Sequence, residues 1–172
     1  LPISKGLDFK DVTLVGVIAA DLSLNLPDYR AFERTFQLLT QVSGRAGRGS
    51  KEGKVVIQTY SADDLTIKYA ASNDYDSFYQ NEIMMREAMN YPPFSSILVI
   101  TMSSEDENML IKNIQNVGVN LKYKIKDNDK ITLLGPCTCG ISKIKNFYRW
   151  QFIIKGDINE TIALEIKNSV YE

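Results

Sequence analysis

Histidine is absent from the chain, and cysteine occurs twice, as Cys137 and Cys139. A structural zinc site takes four cysteine or histidine ligands, so this pair supplies at most half of one. One intervening residue is also too little for an unstrained disulfide. The expectation is two reduced thiols, the state normal inside a cell. An excess of charge of either sign is missing as well, since 20 basic and 21 acidic residues nearly cancel. Any nucleic-acid role must therefore rest on local clustering, because the global field offers no attraction. No apolar run approaches the roughly 20 residues needed to span a bilayer. The opening LPISKGLDF has neither an initiating Met nor a charged leader followed by an apolar core. These absences predict a cytoplasmic fragment whose N-terminus lies upstream. There is no internal repeat and no low-complexity tract.

What is present suits one ordinary globular domain or two small ones: 172 residues, 44% of them apolar. That is too short for a multi-lobed motor. Val12 to Ala19 (VTLVGVIA) is a continuous apolar, β-branched run, the pattern of a parallel strand buried on both faces. Asp28 is placed to cap a helix beginning at Tyr29, with Phe32, Phe36, Leu39 and Val42 on one stripe and Arg30, Glu33, Arg34, Gln37 and Gln41 opposite. The helix should stop near Gly44. Val55 to Tyr60 (VVIQTY) reads as a second strand, which completes the strand, helix, strand order of a right-handed parallel crossover. Two parallel strands do not make a stable sheet, so residues 1–61 are expected to be the tail of a larger α/β domain. Its exposed edge is predicted to drive self-association, against which a sharply monomeric particle in light scattering would count.

Residues 62–90 are acidic and helix-friendly, broken near Ser72 to Asp76, and predict a connector of two helices. Asp63 and Asp64 open it, where carboxylates help the dipole and cap. Tyr91, Pro92 and Pro93 end the helical stretch, since proline lacks the donor N–H and pushes its predecessor out of the α region. Beyond this boundary the pattern predicts strands at Ser96 to Met102, Ile131 to Leu134 (ended by Gly135 and Pro136) and Arg149 to Lys155. Helices are predicted at Glu105 to Lys124 and Asn159 to Val170. Residues 91–172 thus read as a small α+β domain with helices on one face of a short sheet.

Two stretches carry chemistry. In QVSGRAGRG, residues 41–49, Gly44, Gly47 and Gly49 allow close backbone approach, while Arg45 and Arg48 carry charge that does not titrate away on planar forks that fit phosphate oxygens. Two arginines on a tight bend are what an ATPase draws from a facing lobe, to neutralise charge in the phosphoryl-transfer transition state. A solvated, glycine-rich helix terminator satisfies the same spacing. The second stretch is ISKIKNFYRWQFIIK, residues 141–155, in which Lys143, Lys145, Arg149 and Lys155 occur with no acidic residue and are interleaved with Phe147, Tyr148, Trp150 and Phe152. Cations that neutralise phosphates beside aromatic faces that stack on bases make a nucleic-acid surface. Alternation places Trp150, Phe152 and Ile154 on one face, which reads as core. Lys143, Lys145 and Arg149, in the loop before the strand, read as nucleic-acid contacts.

QVSGRAGR resembles the last helicase motif of superfamily 2, and SKGLDFKDVTLVGVIAAD resembles the motif that precedes it. Together with AFERTFQLLTQVSGRAGRG, and downstream YPPF, LLGP and RWQF, the likeness is to the C-terminal part of the primosomal replication-restart helicases, over nearly the whole chain. The resemblance implies that Arg45 and Arg48 contact nucleotide phosphates, with Arg48 the finger, and that Gln41, Gly44 and Asp8 belong to the ATP site. It implies that Lys5 and Gly6 link the DNA track to that site, and that the parent uses ATP and magnesium. It also implies zinc in the parent, although its ligands are absent from this chain. Implied partners are forked or single-stranded DNA, the tail of single-stranded DNA-binding protein, and primosome proteins. Two departures stand beside the likeness: LPIS precedes Lys5, and the chain stops before the family's last strand would finish.

GSKEGKV, residues 49–55, is not a phosphate-binding loop, because three rather than four residues separate its glycines and Lys54 is followed by Val55. No acidic magnesium-holding motif is present either. The chain by itself is therefore expected not to hydrolyse ATP. The competing reading is a non-catalytic nucleic-acid or protein-binding module in which GRAGR only grips phosphate.

Overall fold

A computed structural model of the chain describes residues 12–44, 46 and 53–171. The chain divides into two compact units, Leu1–Met85 and Arg86–Glu172. In the first, β1 (Leu14–Val17) pairs in parallel with β2 (Lys54–Ile57), Val15 opposite Val55 and Val17 opposite Ile57. Between them run α1 (Asp21–Leu24) and α2 (Ala31–Ser43), and after them α3 (Leu65–Ser72) and α4 (Tyr75–Ala88), whose last residues fall in the second unit. The expected parallel pair and the two helices of the 62–90 stretch are present.

β1 is shorter than the VTLVGVIA run and is not buried on both faces. Val17 and Ile57 turn toward the cluster of Phe36, Leu39, Ile67, Ala70 and Phe78, while Leu14 and Val56 on the opposite side remain 62% and 49% exposed. Among the described residues nothing covers the other face of this two-stranded ribbon. The helix of this crossover also departs from expectation. It begins at Ala31, and Asp28 does not cap it but accepts the Arg30 N–H at 2.9 Å and pairs with Arg34 at 2.6 Å. Its buried stripe is Ala31, Thr35, Phe36 and Leu39, with Phe32 exposed in the first turn. Phe36 stacks on Phe78 of α4 at 4.2 Å between centroids, which ties the crossover helix to the connector. Asp64 caps α3 by accepting the N–H groups of Thr66 and Ile67, as its position predicts.

The second unit is a three-stranded antiparallel sheet in the order β3 (Ser96–Ser104), β5 (Phe147–Gly156), β4 (Ile131–Ile144). Helices α5 (Glu107–Ile125) and α6 (Glu160–Ser169) are capped by Asp106 and Asn159. Ile114, Val117 and Leu121 of α5 and Ile166 of α6 pack on Phe152, Ile154 and Ile131, so both helices lie on one face of the sheet. Phe152 and Ile154 are fully buried, each worth about 1.5–3 kcal/mol of transfer free energy. Trp150, Phe152 and Ile154 therefore form core, as their alternation predicts.

β4 does not end at Gly135 and Pro136 but runs on to Ile144, with register shifts between Leu134 and Cys137 and between Thr138 and Lys143. As an edge strand with a bulge, β4 accommodates a proline that cannot donate to the ladder. At the other end of the central strand, Gly156 stands opposite both Ser96 and Ile131 with φ +148°. A Cβ there would collide with the Lys130 carbonyl oxygen.

Candidate nucleic-acid interface

The four-residue turn Ile144 to Phe147 closes β4 and β5 into a hairpin. Ile144 pairs with Phe147, and Lys145 and Asn146 between them take φ 48° and 69°. Two consecutive left-handed residues give a two-residue turn whose twist matches that of the flanking strands. The basic residues expected in a loop thus sit on a hairpin arm. Lys143 is in β4, Arg149 in β5, and Lys145 at the tip.

Lys143 and Arg149 are positioned by groups other than an acid. Lys143 Nζ lies 4.2 Å from the ring centroid of its cross-strand partner Tyr148. A cation over an aromatic face is oriented without having its charge cancelled. Arg149 reaches the bulged part of β4, where its Nη1 donates to the Ile141 carbonyl at 3.5 Å. No acidic residue occurs from Ile131 to Gly156. Of the carboxylates before and at the start of α5, Asp106 accepts the Met109 N–H at 3.0 Å and Glu107 faces the Trp150 indole N–H at 3.5 Å, while Glu105 is exposed and follows directly on Ser104, the cross-strand partner of Tyr148. At the root of the sheet Lys155 donates to the Met89 carbonyl at 2.8 Å and lies over the Tyr91 ring, so it serves structure.

The first unit holds the other predicted residues. Lys5, Gly6, Asp8, Arg45 and Arg48 lie outside the described residues. Gln41 is exposed in the last turn of α2, and Gly44 follows that helix as its cap, donating its N–H to the Thr40 carbonyl at 3.0 Å. Asp21, not anticipated from sequence, joins the C-terminal ends of β1 and β2. It accepts the Thr59 hydroxyl at 2.5 Å and the N–H groups of Tyr60 and Ser61 at 3.0 and 3.2 Å. The Thr59 hydroxyl foremost, then the Tyr60 N–H, lowers its pKa to about 2. Among the described residues no group of three His, Cys, Asp or Glu side chains converges as metal ligands would. Cys137 is exposed and Cys139 buried, both as free thiols. No described helix is long and apolar enough to cross a membrane.

Sequence reasoning named Phe147 among the interleaved aromatics but passed over Ile144 and the pairing of the two, although two residues between apolar partners is a hairpin spacing. It found Lys143, Lys145 and Arg149 through the run of cations without acids.

Residues 87–171 match the family described as the primosomal protein N C-terminal domain. The chain is 45% identical over 153 residues to the replication restart protein PriA of Bacillus subtilis (strain 168), covering 89% of this chain and 19% of that protein. It is 41% identical over 153 residues to the PriA of Synechocystis sp., covering 89% and 18%. To that of Rickettsia typhi it is 41% identical over 155 residues, covering 90% and 23%. The chain spans about a fifth of the length of these curated relatives.

Proposed function

We propose, for a chain that belongs to the PriA family of replication restart proteins and carries its C-terminal domain, that the β4–β5 hairpin is a DNA contact of that domain. The observation that carries this reading is the arm itself: Lys143, Lys145 and Arg149 on one β-hairpin with no acidic residue from Ile131 to Gly156. Phosphate neutralisation by such cations supplies sequence-independent affinity, which suits a protein that acts on DNA structure.

On the same reading, residues 1–61 are the end of the second RecA-like lobe of an ATP-dependent helicase, 62–90 a helical connector and 91–172 the DNA-binding domain. The parallel β1–β2 crossover and the exposure of Leu14 and Val56 on its outer face support a lobe continued elsewhere. Arg45 and Arg48 would meet the nucleotide phosphates in the intact protein, with Gln41, Gly44 and Asp8 at the ATP site and Lys5 and Gly6 coupling it to DNA. The described residues alone do not make a phosphate site. They bring Gln41 to the end of α2, and the arginines that would carry the countercharge lie outside them. ATP, magnesium and zinc, as well as the primosome partners and a place at the nucleoid, belong to the whole protein on this proposal. The fragment alone is proposed not to turn over ATP, and DNA-stimulated phosphate release by the purified chain would contradict that.

The deciding experiment is fluorescence anisotropy of a labelled forked DNA with the wild-type chain and a Lys143→Ala, Lys145→Ala, Arg149→Ala triple variant, at two salt concentrations. Salt-sensitive binding that the variant loses, together with its salt slope, supports a DNA contact. Equal binding by both chains removes the hairpin from the interface.

A further inference from the structure

The cations account for phosphate, but not for what lies between them. Ile144 and Phe147 form the closing pair of the hairpin, so their side chains share one face of the arm, and they are 41% and 42% exposed. β3 reaches only to Ser104, opposite Tyr148, so no third strand flanks the tip. An aliphatic and an aromatic side chain are thus held outward at the end of the arm. They are bracketed in sequence by Lys143, Lys145 and Arg149.

We propose that the Ile144–Phe147 face stacks on the exposed base at a DNA junction while these three cations hold the flanking phosphates; this rests on the hairpin being a DNA contact. The chemistry of the tip selects the substrate. A continuous duplex offers phosphates along its length, but its base faces are stacked on each other. Free base faces occur at forks, gaps and ends. An aromatic ring with an aliphatic neighbour beside phosphate-binding cations matches that combination, because base stacking on an aromatic face is insensitive to sequence and every base presents such a face. An acidic peptide would satisfy the cations without requiring the Phe147 ring. The tip is also suited to hold its shape: the two left-handed turn residues and the Lys143–Tyr148 contact are made within the arm and do not wait for a ligand.

The test uses the whole chain with a fork carrying 2-aminopurine at the first unpaired position, and a closed circular duplex, which has no free base face. Wild type should quench or enhance the 2-aminopurine signal on binding and prefer the fork. Phe147→Ala should bind the fork about tenfold more weakly, given the usual contribution of one stacked base. Its affinity for the circular duplex and its salt slope should not change, and Phe147→Trp should restore fork binding. Because Phe147 is exposed, an unchanged melting curve is expected for both variants. If Phe147→Ala leaves fork binding intact, or weakens fork and circle alike, stacking is overturned while the phosphate contact stands. If wild type binds neither DNA but does bind an acidic peptide, both readings fall together.

Discussion

Lys143 and Tyr148 face each other across the hairpin, with the ammonium 4.2 Å from the ring centroid. The contact fixes the direction of the charge, whereas a carboxylate in the same place would have cancelled it.

A double-mutant cycle of Lys143→Met and Tyr148→Leu, read by urea denaturation, should give a coupling of about 0.5–1 kcal/mol, the range for exposed cation–π pairs. A coupling of zero would mean that the pair does not form in solution.

Gly118 lies in α5 directly over the sheet core. A Cβ there would come within 2.9 Å of Phe152 Cζ and 3.4 Å of Cε1, and Phe152 is fully buried. Alanine favours a helix by about 1 kcal/mol over glycine, but the ring has little room to retreat. Gly118→Ala should therefore be less stable by about 1–2 kcal/mol in urea denaturation, as overpacked cores are. Adding Phe152→Leu should lessen the cost of the glycine substitution.

The Asp21 clamp predicts a pH dependence of the first unit. Its folded-state pKa of about 2 lies below the ordinary value of 3.8 because the ionised form accepts the Thr59 hydroxyl and the Tyr60 N–H. A depressed carboxylate contributes fully above its unfolded pKa and loses that contribution as pH falls through the folded one. Between pH 4 and about 2, Asp21→Asn should lose less melting temperature than wild type. Equal losses would show that the clamp is not formed.

The two thiols should separate kinetically. Cys137 is exposed and Cys139 buried, so a disulfide-type thiol reagent should titrate one cysteine quickly in the native chain and the second only on unfolding. Equal rates would contradict the course of β4 around its bulges.

Much of the second unit was legible because its elements are strongly patterned. Phe152 and Ile154 alternate with Gln151 and Ile153, and Asp106 and Asn159 are good capping residues placed just before apolar periodicity. The extent of β4 was not legible, since Gly135 and Pro136 signal an end to any strand whose edge status is unknown. The hairpin tip was hidden for a different reason. Lys145 is not a residue that advertises a left-handed turn, so a run of lysines read as a loop when it is the end of an arm. In the first unit, the spacing of Phe32, Phe36, Leu39 and Val42 identified the helix but not which residues its neighbours would cover. That depended on α3 and α4, and it brought Thr35 inside in place of Phe32. The site calls for the same distinction: local charge marked the cations, and only the strand register showed that Ile144 and Phe147 stand together between them.

Gly156 gives the arm its address. It is the one position at which all three strands of the sheet meet with no space for a side chain, the Lys130 carbonyl occupying the place of a Cβ. A slip of β5 by one residue in one direction would drive the Lys155 side chain into that carbonyl, so the central strand is keyed at its end. The same key sets how far β5 reaches at its other end, about nine residues away, and hence where the hairpin tip projects. A glycine at the foot of the sheet thus acts as the datum from which the position of the Phe147 ring is measured out.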